Sequence, residues 1–504
     1  MKLSLRISCY LKNYRNVVIN LSLLLVILTI AGYYRISAMK YDIRIRNGFE
    51  MSVSMASYLF ENPAAYKDGS PVKQEYNFYD SFTLHEYEKY TNDADKFVFL
   101  RNPSINSYSK QNMPKSRSEL GWAFILRCIF PDKITGSVNM ARHIVKFNLF
   151  IELIIIVLLF FIGKKIAGIL GAITVSLLYA LFMTAVHMMC YVTYYYWAIP
   201  FSVFSLFFWI VLYSQPPYPQ YFKKKLILFF LYGVIMGFGS ATRMVLLFLP
   251  LFLSPFIFLK ERKVKITFIL MTIMLAGQFL LLLPQMFVNK QQFGRFALST
   301  RETWHQFFMG IGSRQNPLGI ENSGDFAAFD YIKKTTGVDY FKDGIDAYNK
   351  ASQKQALKII KENPKLLMHN AIENIKAAQL INPTAFYAID TPFNKFTSFA
   401  DIQLVNFYSL NAFPFLKKYF IWMVLLAALL LLLRCRERFL LFLIIIAQSI
   451  YLILVVCLYF PNYLYFMSGY IPAWIVLVGL STAIILREPI LYFKSLTLSK
   501  IKNK

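Results

Sequence analysis

An aspartate, Asp42, lies shortly after the first long apolar segment of the chain, Val17 to Tyr33. An ionisable side chain at the edge of a membrane span stands where a lipid-linked substrate would present its headgroup. A carboxylate in that place can act as a general base, which takes a proton from a hydroxyl or an amine. The alternative is a solvated acid that pairs with Arg44 or Arg46. The spacing alone leaves both interpretations open.

Three charged residues follow Asp42 closely enough in sequence to belong to the same site. Arg44 and Arg46 are expected to bind the substrate together with Glu50. Glu50 carries the same functional group as Asp42 and could share its cavity. The sequence therefore predicts Asp42 as the base, with Glu50 as a second acid nearby.

Arg243 lies in a nearly uninterrupted apolar stretch, between two predicted spans. An arginine at that depth is unfavourable unless it reaches the membrane surface or binds an anion. Its planar guanidinium can hold a phosphate group through two hydrogen bonds. We therefore expect Arg243 to bind a lipid phosphate. The alternative is a side chain that extends to the interface without a ligand.

The last candidate residues open the second long polar segment. Trp304 could stack on a sugar ring, and His305 or Arg314 could contact a phosphate. Gly310 and Gly312 are a weak signal for nucleotide binding, because no strand precedes them. The alternative is an ordinary structural loop. The other four histidines show no ligand spacing, so the sequence predicts no zinc site.

The composition is that of a membrane protein. Of the 504 residues, 57% are hydrophobic, and the mean hydropathy is +0.46; soluble domains contain about 45–50% apolar residues. The net charge of +27 could indicate nucleic-acid binding. The lysines and arginines, however, stand in short turns between apolar runs, where membrane orientation accounts for them. Nucleic acid is therefore not an expected partner, whereas membrane lipids are.

Apolar runs long enough to cross about 30 Å of hydrocarbon occur at ten places: 17–33, 147–163, 167–187, 197–213, 225–240, 244–259, 266–285, 418–433, 438–460 and 467–486. Basic residues cluster in alternate turns, and the opposite turns carry almost none. By the positive-inside rule, both termini are cytoplasmic and the two long loops face outward. The alternative is a cleaved signal peptide that ends near Ala31. Cleavage would leave an odd number of spans, and the basic turns would then no longer match the side of the membrane that the rule assigns to them. The predicted fold class is an all-α polytopic membrane protein.

The chain is expected to divide into five parts. These are a cytoplasmic segment with the first span (1–34), a first outer loop with interfacial helices (35–146), spans two to seven (147–285), a helix-rich second outer loop (286–417), and spans eight to ten with a cytoplasmic tail (418–504). The two loops are expected to cap an outward-facing cavity and not to form independent domains.

Each loop contains a recognisable helical pattern. In the first loop, a short interfacial helix is expected at 120–129, with an apolar face formed by Leu120, Phe124, Ile125, Cys128 and Ile129. In the second loop, helical spacing over 354–360 and 365–380 is broken at Asn363-Pro364.

The residues around Asp42 resemble those of a known enzyme family. Asp42-Ile43, Ala56, Leu59, Asn62-Pro63 and Tyr66 are similar to the opening of the first outer loop in glycosyltransferases of the GT-C fold that use polyprenyl-phosphate sugars. The resemblance implies about ten transmembrane helices, two large outer loops and an acidic catalytic base, carried here by Asp42. The resemblance in the order of spans and loops extends over the whole chain, whereas the resemblance in amino-acid sequence is limited to these few residues. Several branches of the family have two adjacent acids at this point, whereas Ile43 follows Asp42 here.

The resemblance also implies a reaction and its partners. The donor would be a sugar on a polyprenyl phosphate, and the acceptor a glycan, lipid or protein outside the cytoplasm. The resemblance implies no definite cofactor. Members of the family differ in metal use, so a divalent cation held by Asp42 and the lipid phosphate is one of two open alternatives. The Lys-, Asn-, Tyr- and Phe-rich composition is typical of AT-rich bacterial genomes, which implies the plasma (inner) membrane.

Two other functions stay open. An O-antigen-type polymerase or ligase also has many spans and large outer loops, but it acts through arginines and a histidine, and its large loop is placed differently. A lipid or solute transporter would show broken helices or ionisable residues at mid-membrane in two related halves. No such similarity between halves is visible in this sequence.

Overall fold

The computed structural model describes most of the helical chain. The described residues are 2–41, 44–45, 82–83, 120–129, 138–192, 194–213, 215–217, 219, 221–293, 296–298, 303–312, 314–320, 325–378, 414–434, 438–459 and 469–502. Asp42, Arg46 and Glu50 lie outside them, and of Arg44 only the backbone is described.

Most described residues are helical. The helices of the apolar part are α1 (Lys2–Tyr41), α2 (Leu120–Ile129), α3 (Val138–Ala180), α4 (Met183–Cys190), α5 (Ala198–Tyr213), α6 (Phe222–Thr242), α7 (Leu249–Leu253), α8 (Pro255–Glu261) and α9 (Val264–Phe293). The second loop contributes α10 (Thr303–Gly312), α11 (Asp325–Thr336), α12 (Tyr340–Glu362) and α13 (Pro364–Ala378). The chain then returns to the apolar part with α14 (Pro414–Arg434), α15 (Phe439–Tyr459) and α16 (Ile471–Lys502).

The apolar helices identify a multi-pass membrane protein. Five described stretches are long and apolar enough to cross a bilayer: Val17–Met39, Arg142–Ala180, Phe222–Thr242, Met244–Glu261 and Val264–Lys290. Four shorter apolar helices accompany them: Ala198–Tyr213, Trp422–Arg434, Phe439–Val455 and Ile471–Arg487. The number of ten spans remains a prediction.

The long helix α3 is in fact two helices that reverse direction. Ala167 (φ −127°) and Gly168 (φ 70°) have non-helical backbone angles. Residues eight apart in a straight helix are separated by roughly 12 Å, yet a Cβ on Gly163 would overlap the backbone oxygen of Gly171. The chain therefore turns back at Gly168, where glycine alone adopts a positive φ without strain. The sequence prediction separates two spans at this point, and the structure confirms the break.

A small sheet joins the start of the first loop to the segment after α4. Strand β1 (Arg44–Ile45) lies between β2 (Phe82–Thr83) and β3 (Tyr191–Val192). It pairs antiparallel with β2, with Arg44 opposite Thr83. It pairs parallel with β3, with Arg44 opposite Tyr191. The described chain is almost entirely helical, as the predicted class requires; the sheet is a small addition that was not predicted, because strands of two residues are too short to leave an alternating pattern in the sequence.

The second loop has an apolar core of its own. Phe308, Ile332, Tyr348 and Ala356, from α10, α11 and α12, are fully buried in one cluster. Helices α10 and α13 both contact the membrane helix α15. The break predicted at Asn363-Pro364 separates α12 from α13, as expected. The loop is therefore more than a cap: its described part is a helical subdomain seated on the membrane helices.

Glycines bring α6 and α9 into direct backbone contact. A Cβ on Gly233 or Gly237 would overlap the carbonyl oxygen of Met274 or Gln278, respectively. On the opposing helix, a Cβ on Gly277 would overlap the carbonyl oxygen of Phe230. Small residues at such a crossing allow close van der Waals packing, which is a main source of helix association in lipid.

We expect Gly233→Ala to destabilise the protein by about 1–3 kcal/mol, because the added methyl group meets backbone that cannot rotate away. Gly32→Ala is the matched control: the space around Gly32 on α1 is open, and alanine is the better helix former. Thermal unfolding in detergent should show a lower midpoint for Gly233→Ala and no loss for Gly32→Ala. Equal midpoints for the two variants would contradict the tight crossing.

Candidate functional site

A buried ion pair anchors the end of α1. Arg35 lies on α1, within the apolar stretch Val17–Met39. It donates from Nε (3.0 Å) and Nη2 (2.7 Å) to Oε2 of Glu152 on α3. Both side chains are fully buried. A third nitrogen, Nη1, donates to the carbonyl oxygen of Ala180 at 2.9 Å. One guanidinium thus ties α1 to both arms of the reversed helix α3.

Tyrosines complete the surroundings of the Glu152 carboxylate. The hydroxyls of Tyr179 and Tyr196 lie 3.0 and 3.1 Å from Oε1, the oxygen that the arginine does not use. The Tyr196 hydroxyl also lies 3.2 Å from the carbonyl oxygen of Asn148. A buried charge is tolerated only when it is paired and its remaining lone pairs are satisfied. Both oxygens of Glu152 meet this condition, so the cluster is a structural lock between helices.

The lock lies next to the segment that contains Asp42. Arg35 is within two helical turns of Tyr41, the last residue of α1. The chain is described again at Arg44, whose backbone pairs with Tyr191 in β3. Asp42 itself lies outside the described residues. The residues on either side of it are held by separate interactions, the ion pair before it and the sheet after it.

Arg243 occupies a break between two helices. Helix α6 ends at Thr242, and Arg243 has an extended backbone (φ −145°, ψ 103°) before a 3-10 turn over Met244–Leu246. Its amide donates to the carbonyl oxygen of Gly239 at 2.7 Å, and the residue is 3% exposed. The sequence prediction placed Arg243 between two spans, and the structure agrees. The side chain is buried in the fold and does not extend into solvent.

Side chains from two other helices satisfy the backbone of this break. The Tyr451 hydroxyl on α15 donates to the carbonyl oxygen of Val245 (2.9 Å) and accepts from the amide of Phe248 (3.1 Å). The Gln278 side-chain amide on α9 donates to the carbonyl oxygen of Leu247 at 2.7 Å. Irregular backbone at membrane depth persists only where such partners exist. The turn at Arg243 is therefore held in place by α9 and α15.

A second buried ion pair lies at the end of α6 that is remote from Arg243. Lys225 near the start of α6 contacts Oε1 of Glu261, the last residue of α8, at 2.6 Å. A helix of the length of α6 rises roughly 30 Å. Helix α6 and the returning helices α7 and α8 therefore form one antiparallel hairpin. Arg243 lies at one end of this hairpin, and the ion pair lies at the other.

Helix α2 of the first loop packs against the Arg243 end of this hairpin. A Cβ on Gly121 would come within 2.6 Å of the amide nitrogen of Thr242. The predicted helix over 120–129 is present. The buried residues are Trp122, Ile125 and Leu126, whereas Phe124 is half exposed. Gly121 allows backbone contact, so the helix rests on the side where its smallest residue lies.

A row of aromatic rings connects the sheet to the Arg243 turn. Trp197, just after β3, lies 6.0 Å from Phe147 and 6.3 Å from Phe201, measured between ring centroids. Phe238 on α6 is 5.8 Å from Phe201 and 5.8 Å from Phe124 on α2. This aromatic row places the described residues beside Asp42 and the turn of Arg243 at the same end of the helical bundle.

The predicted residues of the second loop lie in its subdomain. His305 is 1% exposed; its Nδ1 is 2.7 Å from the Tyr348 hydroxyl, and its ring stacks on Phe329. Trp304 is partly exposed, with its ring 6.3 Å from Phe307. Arg314 approaches the carbonyl oxygen of Asn370 at 3.4 Å. These contacts place His305 in the subdomain core, with Trp304 and Arg314 closer to its surface.

Sequence reasoning missed Arg35 and Glu152. The signal was available, because ionisable residues in apolar spans are rare and usually paired with one another. Arg35 was assigned to the loop after the first span, although α1 continues to Tyr41. Within the described part of the chain, no three histidine, cysteine or acidic side chains come together as a set of metal ligands.

We expect Glu152→Gln to lower the free energy of unfolding by roughly 3–5 kcal/mol, because it leaves the Arg35 charge buried without compensation. Tyr179→Phe removes a single hydroxyl donor to the same carboxylate and should lower it by only about 1–2 kcal/mol. The double variant Arg35→Met/Glu152→Leu should recover much of the loss. Thermal and denaturant unfolding in detergent measure all three. A double variant less stable than Glu152→Gln would show that the pair does not act as a lock.

Comparisons with known proteins give structural neighbours only. No protein-family model matches the chain, and no curated protein matches it. The oligosaccharyltransferase of Archaeoglobus fulgidus tethered to an acceptor peptide matches with 14% identity over 94% of this chain and 50% of that chain, at a TM-score of 0.49. The apo form of that enzyme matches with 14% identity, over 95% and 52% of the two chains, at a TM-score of 0.47.

A third structure, the archaeal oligosaccharyltransferase AglB from Archaeoglobus fulgidus with an inhibitory peptide and a dolichol-phosphate, matches with 12% identity over 95% of this chain and 52% of that chain, at a TM-score of 0.44. The structural neighbours are thus archaeal oligosaccharyltransferases. The chain spans about half the length of the oligosaccharyltransferase chains that it matches.

Proposed function

We propose that this protein is an integral-membrane glycosyltransferase that moves a sugar from a polyprenyl phosphate to an acceptor outside the cytoplasm. The Asp42 carboxylate takes the proton from the acceptor hydroxyl or amine. The acceptor atom then bonds to the anomeric carbon of the sugar, and the bond from that carbon to the phosphate oxygen breaks. Polyprenyl phosphate leaves with the electron pair, and direct transfer inverts the anomeric configuration.

The observation that supports this proposal is the double attachment of the chain around Asp42. Before it, the Arg35–Glu152 ion pair holds the end of α1; after it, Arg44 is paired in the sheet. A general base must be held within hydrogen-bond reach of the proton that it removes. A carboxylate between two such anchors suits this requirement better than a carboxylate in a freely moving loop.

Arg243 is the proposed ligand of the donor phosphate. Its turn is at the same end of the bundle as Arg44 and Tyr191, connected to them by the aromatic row. A buried guanidinium next to helices that face lipid suits an anion carried on an isoprenoid tail. The tail would then lie along the apolar surface of the bundle, where it replaces ordinary lipid.

The remaining predicted residues take supporting roles in the proposal. Arg44, Arg46 and Glu50 bind the sugar phosphate and the acceptor near Asp42. Trp304 and Arg314 contact the substrate from the second loop, and His305 holds the helix that carries Trp304 in place through its contact with Tyr348. If a divalent cation takes part, Asp42 and the lipid phosphate hold it. The acceptor is a glycan, a lipid or a peptide.

The proposed orientation follows from the distribution of charge. Lysines and arginines cluster at the end of the bundle that carries Lys225, Glu261 and Arg262. The positive-inside rule assigns that end to the cytoplasm. Both termini are then cytoplasmic, and the Arg243 end faces outward across a plasma (inner) membrane.

Asp42→Asn should lower the rate of sugar transfer by about 10²–10⁴-fold, the usual contribution of a general base. The measurement is transfer from a radiolabelled polyprenyl-phosphate sugar in membranes that contain equal amounts of folded protein. Glu50→Gln is the matched control, because it removes the other nearby acid, and its effect should be far smaller. If Asp42→Asn keeps its activity, or if Glu50→Gln abolishes it, the assignment of the base is wrong.

Arg243→Met should raise the KM for the lipid donor by about 10–100-fold, since hydrogen bonds between charged groups contribute about 1.5–3 kcal/mol. The acceptor KM should change little. Arg438→Met, at an exposed arginine just before α15, is the control and should leave both constants unchanged. An equal rise in both KM values would indicate a packing role for Arg243.

Mass spectrometry of the lipid that co-purifies with the protein separates the proposal from the alternatives. A polyprenyl phosphate that is lost in Arg243→Met supports the transferase. A bound solute without polyprenyl phosphate would instead favour a transporter. An elongated lipid-linked glycan would favour a polymerase.

A further inference from the structure

One surface of the second-loop subdomain has no explanation in the proposed reaction. Helices α12 and α13 are separated by a single residue, Asn363. Hydrogen bonds continue across it, from the Asn363 amide to the carbonyl oxygen of Ile359 (2.8 Å) and from the Leu367 amide to the carbonyl oxygen of Asn363 (3.4 Å). The two helices therefore share one helical repeat, and a face on the first continues onto the second.

The inner face of this pair is accounted for by the subdomain core. Ala356 and Ile359 of α12 are buried in the core cluster, and Leu366 and Leu367 of α13 pack against it. Because these positions recur at helical spacing, the opposite side of both helices is turned away from the core.

The outer face combines large apolar side chains with lysines. Leu357 is 51% exposed, Met368 67% and Ile372 41%. Four exposed lysines alternate with them at helical spacing: Lys354, Lys358, Lys361 and Lys365. The acids of this stretch are Glu362 and Glu373, so its charge is positive. We call this surface the lysine face.

Among the residues that the structure describes, neither component of the lysine face has a structural explanation. The positive-inside rule applies to short loops and does not account for lysines in a long one. Exposed leucine, methionine and isoleucine at helical spacing lose apolar contact unless a partner covers them. Helices that lie in the headgroup region of a bilayer combine exposed apolar side chains, which enter the boundary with the acyl chains, with lysines and arginines that attract anionic lipids.

The position of the subdomain supports the same partner. Helix α13 contacts the membrane helix α15, as does α10, so the helix that carries part of the lysine face packs directly on a membrane-spanning element. We propose that this face lies on the outer surface of the membrane, with its apolar side chains at the boundary between headgroups and acyl chains and its lysines on anionic lipid phosphates. The proposal does not depend on the transferase reaction.

Fluorescence quenching in nanodiscs tests the proposal. In full-length protein whose five cysteines are replaced by serine or alanine, Met368→Cys carries an environment-sensitive fluorophore. Lys334→Cys, an exposed position on α11, is the control. In nanodiscs of phosphatidylglycerol, a nitroxide on the upper acyl chain should quench the probe at 368 by half or more, and aqueous iodide should quench the probe at 334. The nitroxide quenching at 368 should fall in phosphatidylcholine.

A second measurement uses native mass spectrometry on protein that keeps its native cysteines. Lys354→Glu/Lys358→Glu/Lys361→Glu should lower the number of phosphatidylglycerol molecules retained in native mass spectrometry by at least half. Lys334→Glu/Lys342→Glu, at exposed lysines elsewhere on the subdomain, should leave that number unchanged. The proposal is overturned if iodide quenches both probes equally, if neither quencher reaches position 368, or if both sets of charge reversals have the same effect.

Discussion

The ion pair between Arg35 and Glu152 is the interaction on which the arrangement of the loop end depends. It joins the end of α1 to the two arms of α3 through one fully buried guanidinium. Charges in such an environment are stable only with complete pairing, so the geometry tolerates little displacement. The start of the first loop therefore leaves the membrane at a defined place, beside the segment that pairs with it in the sheet.

Around this anchor, the bundle uses two different means of holding helices together. Glycines let α6 and α9 touch along their backbones, as expected in lipid, where apolar side chains gain little by leaving one apolar medium for another. At the turn of Arg243, the contacts are instead hydrogen bonds from Tyr451 and Gln278 to the backbone. Backbone packing therefore holds helices α6 and α9 together, and hydrogen bonds hold the irregular segment at Arg243.

The sequence was sufficient where the signal is local. Hydropathy located the apolar helices, Asn363-Pro364 marked the break between α12 and α13, and the interruption at Arg243 was visible as a charge in an apolar stretch. Contacts between distant parts of the chain were not accessible in this way. Arg35 and Glu152 are 117 positions apart, and neither strand of the β1–β3 pair is long enough to show a period. The side on which α2 packs against α6 was likewise not accessible, because it is set by the contact between Gly121 and the distant Thr242.

Tyr451 has a consequence that reaches beyond the turn that it stabilises. Its hydroxyl bonds to the backbone within the 3-10 turn, at Val245, and just after it, at Phe248, while α15 also contacts α10 and α13. Because one hydroxyl makes both hydrogen bonds, a shift of α15 along its axis would disturb the two together. Any tilting of the external subdomain that displaces α15 is thereby transmitted to the segment that carries the guanidinium, through this phenol and the packing of α15 on α7.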